Sequence, residues 1–186
     1  MAQSQTAGET PFLTDVAKLR SQARREMEAG AVTPSYRGDV HQTIALLQTV
    51  LATEIVCVLR YTQHSIVAAG LASESVKAEF AQHAREENDH AMWIAERINQ
   101  LGGAPNFNPE GLASRSASQY AETPDMVEMI RENLVAERIA IDHYRELIRY
   151  FGDDDPATRA MLEGILRVEE EHASDMLDLL AAHGKS

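Results

Sequence analysis

One cysteine, six prolines and ten glycines in 186 residues set the first limits on this sequence. Cys57 alone cannot form an intrachain disulfide framework or a multi-cysteine zinc site, and a lone thiol is compatible with a reducing compartment. Proline and glycine are sparse while Ala, Leu, Glu and Arg abound, a helix-forming mixture with few strand formers, so the expectation is an all-α chain. Basic residues are also short. Seventeen Lys and Arg against 29 Asp and Glu give a formal charge of −12, which speaks against a generic nucleic-acid binder and suits the attraction of cations. The N-terminal stretch MAQSQTAGETPF lacks a basic patch followed by an apolar run, so no secretory signal is read there. No stretch is expected to supply the roughly 20 apolar residues of a spanning helix. These absences point to a soluble, cytoplasmic protein with no membrane partner.

What is present is helical periodicity in four long segments. Their start and stop residues place them at about Asp39 to Ala69, Ser73 to Gly102, Thr123-Pro124 to Gly152, and Asp155-Pro156 to Gly184. Each would be on the order of 45 Å long at about 1.5 Å per residue. The connections at Gly70 to Ala72 and Gly152 to Asp154 are so short that the first and second helices, and the third and fourth, must be antiparallel neighbours. Between Gly103 and Glu122 lies a linker rich in Pro, Gly, Ser and Asn; its roughly 20 residues reach about 66 Å when extended, enough to recross the whole bundle. Residues 1–38, with one short helix expected at Thr14 to Ala29, read as an N-terminal extension, and residues 39–186 as the bundle.

The chemistry lies in where the glutamates fall. Two Glu-x-x-His motifs occur, Glu87 to His90 and Glu169 to His172, but the composition alone would produce about 0.7 by chance. Their position on the helices carries the argument. Glu87 interrupts an apolar stripe formed by Phe80, Ala84, Ala91, Ile94 and Ile98, and Glu169 interrupts one formed by Leu162, Ile165, Ala173 and Met176. The other helices repeat the violation, with Glu54 between Leu47, Leu51, Val58 and Tyr61, and Glu137 between Ile130, Leu134, Ile141 and Tyr144. Four buried carboxylates without compensation would be prohibitive. Two divalent cations cancel them, and residues three apart share a helical face, so each Glu-x-x-His offers a carboxylate and an imidazole to one site. The spacing from Glu54 to Tyr61 equals that from Glu137 to Tyr144, so the two hairpins look like copies.

At these residues the chain resembles the ferritin-like superfamily, in particular bacterioferritin and Dps-like proteins with a bacterioferritin-type site inside each subunit. The resemblance covers Asp39 to His183 and implies a ferritin-like antiparallel four-helix bundle with one long crossover between its second and third helices. It further implies a di-iron centre with Glu54 and Glu137 as terminal ligands, Glu87 and Glu169 bridging, and His90 and His172 completing each metal. Carboxylate and imidazole ligands with open positions favour iron or manganese over a closed zinc site. The implied activity is oxidation of Fe(II) by O2 or H2O2, with Fe(III) stored in a homo-oligomeric cage. Asn88 stands where bacterioferritin has its haem-ligating Met, so no haem is expected. Only 14 residues follow His172, which shifts the expectation from a 24-mer towards a 12-mer.

Other residues carry weaker signals. Tyr61 and Tyr144 are either core aromatics or neighbours of the centre with a role of their own. Cys57 reads as a small buried hydrophobe, Trp93 as a packing or interface residue, and His41, His64, His83, His143 and His183 as structural or solvated. Glu86, Glu170 and Glu171 read as a solvated face beside the ligands. Residues 1–38 carry five basic and four acidic side chains, which argues against direct DNA binding by that arm. A manganese catalase or di-iron oxygenase on the same fold is the alternative, and a bundle without redox chemistry is a third reading.

Overall fold

The computed structural model describes residues 15–70 and 73–184, which fall into two compact units divided between Ser35 and Tyr36. In the first, α1 (Val16–Arg25) is capped by the Asp15 carboxylate, which accepts from the Ala17 N–H, and a short 3-10 turn (Met27–Ala29) follows. The expected start of this helix at Thr14 lies outside the described residues. The second unit holds α2 (Val40–Val67), α3 (Ser73–Gln100), the one-turn α4 (Leu112–Arg115), α5 (Met126–Phe151) and α6 (Pro156–His183). No strand occurs among the described residues. The expected four-helix bundle is present: α2 packs along α3 and α5 along α6, with α3 against α6 and α2 against α5 joining the two pairs.

Helix ends follow local chemistry. Asp39 and Asp155 cap α2 and α6 through the Gln42 and Thr158 N–H groups, and Pro156 occupies the first turn, where a missing N–H costs nothing. The start of α5 differs from the expectation at Thr123-Pro124. Asp125 is the cap, accepting from the Glu128 N–H at 2.9 Å, and Thr123 only contacts the Asp125 N–H. Helix α2 stops at Val67, short of Ala69. Helix α5 ends at Gly152, whose φ of +44° is available to glycine and strained for other residues.

The crossover from α3 to α5 runs along α2 and contains a helical turn the sequence reading left as linker. Gln48 donates to the Ala104 carbonyl and accepts from the Asn106 N–H; further along, the Thr53 hydroxyl accepts from the Ala117 N–H. Arg60 donates to the Gln119 carbonyl, and the Tyr120 hydroxyl bonds Gln63. Its start is pinned by close packing, because a Cβ on Gly103 would sit 2.9 Å from Ile98 Cγ2.

Helix α2 also departs from the expectation that no stretch is apolar enough to span a bilayer: it is the one described helix long and apolar enough by composition. Half of its most apolar window is buried within the fold, and it buries Glu54 and Arg60. Arg60 bonds Asn133 Oδ1 at 2.8 Å, and Asn133 in turn bonds His64 Nδ1, tying α2 to α5.

At the end of the bundle where α2 and α6 begin, Asp155 gathers four partners. Its carboxylate accepts from the Thr158 N–H and hydroxyl, from Arg97 Nη2 at 2.8 Å and from the Tyr36 hydroxyl at 3.0 Å. Asp155→Ala removes the cap and leaves the nearly buried Arg97 unpaired, so it is expected to destabilise the protein by about 2–4 kcal/mol. Asp155→Asn keeps the cap and should cost less. Urea unfolding of both variants checks this, and equal losses would show that the cap contributes nothing beyond the charge pair.

Candidate metal centre

Each of the four long helices of the second unit delivers its predicted glutamate to the centre of the bundle. Glu54 from α2, Glu87 from α3, Glu137 from α5 and Glu169 from α6 are all 1% exposed, as are His90 and His172. The apolar stripes around them, including Leu47, Leu51, Phe80, Ile94, Ile130, Leu162, Ile165 and Met176, are fully buried and fix each helix in rotation. The six residues form two quartets of donor atoms. One is Glu54, Glu87, His90 and Glu169; the other is Glu137, Glu87, Glu169 and His172, each with all its donors within 4.8 Å of one another. Glu87 and Glu169 belong to both.

The donors are close without bonding to each other. His90 Nδ1 lies 2.9 Å from Glu169 Oε1, 3.4 Å from Glu54 Oε2 and 3.6 Å from Glu87 Oε2; His172 Nδ1 lies 3.6 Å from both Glu87 Oε1 and Glu169 Oε2. Yet both Nδ1 atoms, Glu54 Oε2, Glu87 Oε1, Glu137 Oε2 and both Glu169 oxygens have no aligned hydrogen-bond partner. Buried polar atoms are rarely left so. Their separations of 2.9–3.6 Å bracket the edges of a coordination polyhedron, about 3.0–3.4 Å for bonds of about 2.0–2.1 Å. The residues present therefore fit a pair of divalent cations, one per quartet.

The atoms that face away are tied down. The Tyr144 hydroxyl donates to Glu54 Oε1 at 2.6 Å, and the Tyr61 hydroxyl donates to Glu137 Oε1. Each tyrosine thus holds the glutamate of the opposite hairpin, and the repeat seen in the sequence spacing becomes a crossed pair of hydrogen bonds. His172 Nε2 contacts Glu86 Oε2 at 2.8 Å, which holds the proton on Nε2 and leaves Nδ1 for a metal.

The structure also places the residues that carry weaker sequence signals. His83, read as structural or solvated, is fully buried and stacked on His172 with ring centroids 3.9 Å apart. Glu86, read as part of a solvated face, is the partner of His172, whereas Glu170 and Glu171 are exposed. Trp93 is 46% exposed with its ring 5.5 Å from that of His90. Cys57 is buried, and burial pushes its thiol well up, beyond easy ionisation. A cavity of about 140 Å³ opens between α3 and α6 over His90 and His172, with the carboxylates of Glu86, Asp89, Glu171 and Asp175 in its lining.

Without metals, protons balance the site. Burial lowers a histidine, but the surrounding carboxylates outweigh it and push His90 up to about 12 and His172 up to about 11. Burial and the neighbouring Glu87 raise Glu54 to about 7, and burial with Glu87 and Glu169 raises Glu137 well above the carboxylate range. Burial would also raise Glu87 and Glu169, but the two imidazoles bring both below the ordinary value.

The pattern described as the ferritin-like domain matches residues 44–183. A DNA protection during starvation protein of Pyrococcus furiosus is 33% identical over 146 residues, 76% of this chain and 78% of the relative. A 3-demethoxyubiquinol 3-hydroxylase of Paracidovorax citrulli is 30% identical over 108 residues, 54% of this chain and 50% of its own length. Among solved structures, the dodecameric thioferritin of Bacteroides fragilis, a bacterioferritin-related protein, superposes with a TM-score of 0.76 at 31% identity, covering 80% of this chain and 90% of that one. Dps from Thermosynechococcus elongatus superposes at 0.72 with 17% identity, covering 75% and 90%, and shares the fold.

Protonation of the centre makes metal binding a proton exchange. Binding two divalent ions to the demetallated protein near neutral pH should release about two to four protons per chain, with affinity falling as pH falls. A pH-stat titration with Zn(II) measures this, and binding without proton release would contradict it. For the metal-free protein the sign is opposite. Imidazoles raised on folding stabilise it fully below their ordinary value of 6.5 and progressively less as pH rises towards 11–12, and Glu54 acts the same way between 4.5 and about 7. Its thermal midpoint should therefore drop between about pH 6 and pH 9, and metal should remove that drop.

Proposed function

The chain belongs to the ferritin-like domain family, and from that premise we propose that it is a ferroxidase that stores iron and protects against oxidative stress. The observation that carries this reading is that Glu87 and Glu169 belong to both donor quartets, which is what two bridging carboxylates require. Fe(II) is substrate here: two ions each lose one electron, and one H2O2 with two protons leaves as two H2O, or one O2 with two protons leaves as H2O2. Glu54 and Glu137 hold one ion each, Glu87 and Glu169 span the pair, and His90 and His172 complete the two quartets, with manganese the other metal this donor set admits. Tyr144 and Tyr61 keep the terminal glutamates aimed inward. The acidic cavity over His90 and His172 attracts the cation before it reaches the centre.

Family relatives include hydroxylases, but the cavity beside the centre favours storage. At about 140 Å³, with four carboxylates in its lining, it is small for a quinol ring with an apolar tail. We further propose that the chain assembles into a dodecameric cage, as its Bacteroides relative is described to do, and that it acts in the cytoplasm without haem. Protection would come from removal of Fe(II) and oxidant. Although some relatives are named for DNA binding, residues 15–35 carry four basic side chains against three acidic ones, too even a balance for a phosphate-binding arm.

Aerobic loading with Fe(II) tests this reading. The protein should retain hundreds of iron atoms per particle, and a Glu54→Ala, Glu137→Ala double variant should oxidise Fe(II) at least about tenfold more slowly. Retention of only a few ions by a small oligomer would favour a hydroxylase-like enzyme. An unchanged oxidation rate in the double variant would remove the centre from the mechanism.

A further inference from the structure

Metal-ligating side chains continue beyond the six residues of the centre. His83 on α3 is fully buried, its ring stacked on His172 at an interplanar angle of 20° and meeting the Tyr61 ring edge-on. The stacking fixes the plane of the imidazole, and that plane aims Nε2 between two carboxylate oxygens, Glu79 Oε1 and Asp175 Oδ2, each 3.4 Å away. Glu79 is one helical turn before His83, and Asp175 comes across from α6. One donor atom from each of the three lies within 4.8 Å of the others.

A plain hydrogen-bonded histidine accounts poorly for this arrangement. A single Nε2–H serves one acceptor well, at about 2.7–3.2 Å, whereas here two acceptors stand at equal and longer distance. His83 Nδ1 is buried with no hydrogen-bond partner, and on its inner side a ring nitrogen lies within 4.8 Å of donor atoms of Glu137 and His172, so the ring stands between the centre and these two carboxylates. No Lys or Arg among the described residues pairs with Glu79 or Asp175. The separation of 3.4 Å is close to the edge of a tetrahedral coordination sphere, about 3.3 Å for bonds of about 2.0–2.1 Å. Both carboxylates are about one third exposed, so the group is open to solvent, and Asp175 also lines the cavity over His90 and His172.

We propose that Glu79, His83 and Asp175 form an accessory site for one divalent transition-metal ion per chain, separate from the two quartets of the centre. One imidazole nitrogen and two carboxylate oxygens suit Zn(II), Co(II), Mn(II) or Fe(II), with the remaining positions open to water.

The test is equilibrium dialysis of the demetallated full-length protein against Co(II), with cobalt per chain measured by elemental analysis. A Glu79→Gln, Asp175→Asn variant should hold one cobalt fewer per chain than wild type, and Asp175→Asn alone should weaken that ion at least tenfold. Near-isosteric changes at two partly exposed positions preserve the fold, which circular dichroism and particle size check. Glu54→Ala with Glu137→Ala should keep the accessory ion while losing those of the centre. Equal cobalt content in wild type and in both the Glu79, Asp175 variant and Asp175→Asn overturns the accessory site, whatever the centre does. Loss confined to the Glu79, Asp175 variant, with none in the Glu54, Glu137 variant, upholds the accessory site and overturns the centre.

Discussion

Four carboxylates of like charge face one another at 1% exposure in the middle of an apolar bundle, and the local structure is organised around their mutual repulsion. Burial alone opposes each ionised group, and proximity adds to the cost. The fold supplies three kinds of compensation. Two tyrosine hydroxyls cross between hairpins to bond Glu54 and Glu137, two imidazoles hold protons far above their ordinary value, and the remaining oxygens converge as two quartets. The first two are built into the chain. The third is open to cations.

The same constraint explains how much of the protein was legible beforehand. A glutamate inside an apolar stripe is visible in sequence because helical periodicity predicts what should occupy that position. Start and stop residues placed the helices, short connections paired them, and four such interruptions at matched depth pointed to the six residues that the fold brings together. The crossed tyrosines were visible only as a shared spacing of seven. The direction of their bonds, from Tyr61 to Glu137 and from Tyr144 to Glu54, depends on how the hairpins dock, which no single helix encodes. Glu86 differs from its reading as a solvated face for a related reason. It lies on α3 with its partner on α6, so its environment is set by an interhelical contact and not by its own stripe. Thr123 was overrated as a cap because Asp125, two residues on, offers a carboxylate in the same geometry and lets Pro124 stay outside the helix.

Function depends on how the compensation is exchanged. A centre that is neutral with protons and equally neutral with two divalent ions can load and unload metal without a large change in buried charge. That suits a protein through which iron passes more than one that holds a metal permanently. The cavity between α3 and α6 supports the same view, since it opens over His90 and His172 with four carboxylates in its lining. The family places hydroxylation and iron storage on one scaffold, and the surroundings of the centre, more than its ligands, distinguish between them.

The central claim is that the two quartets bind metal as a pair bridged by Glu87 and Glu169. Mössbauer spectroscopy of the demetallated protein loaded with two ⁵⁷Fe(II) per chain and then oxidised tests it most directly. The account predicts a spectrum dominated by magnetically coupled iron pairs with no net spin. Magnetically split signals from isolated Fe(III) ions at the same loading would contradict it.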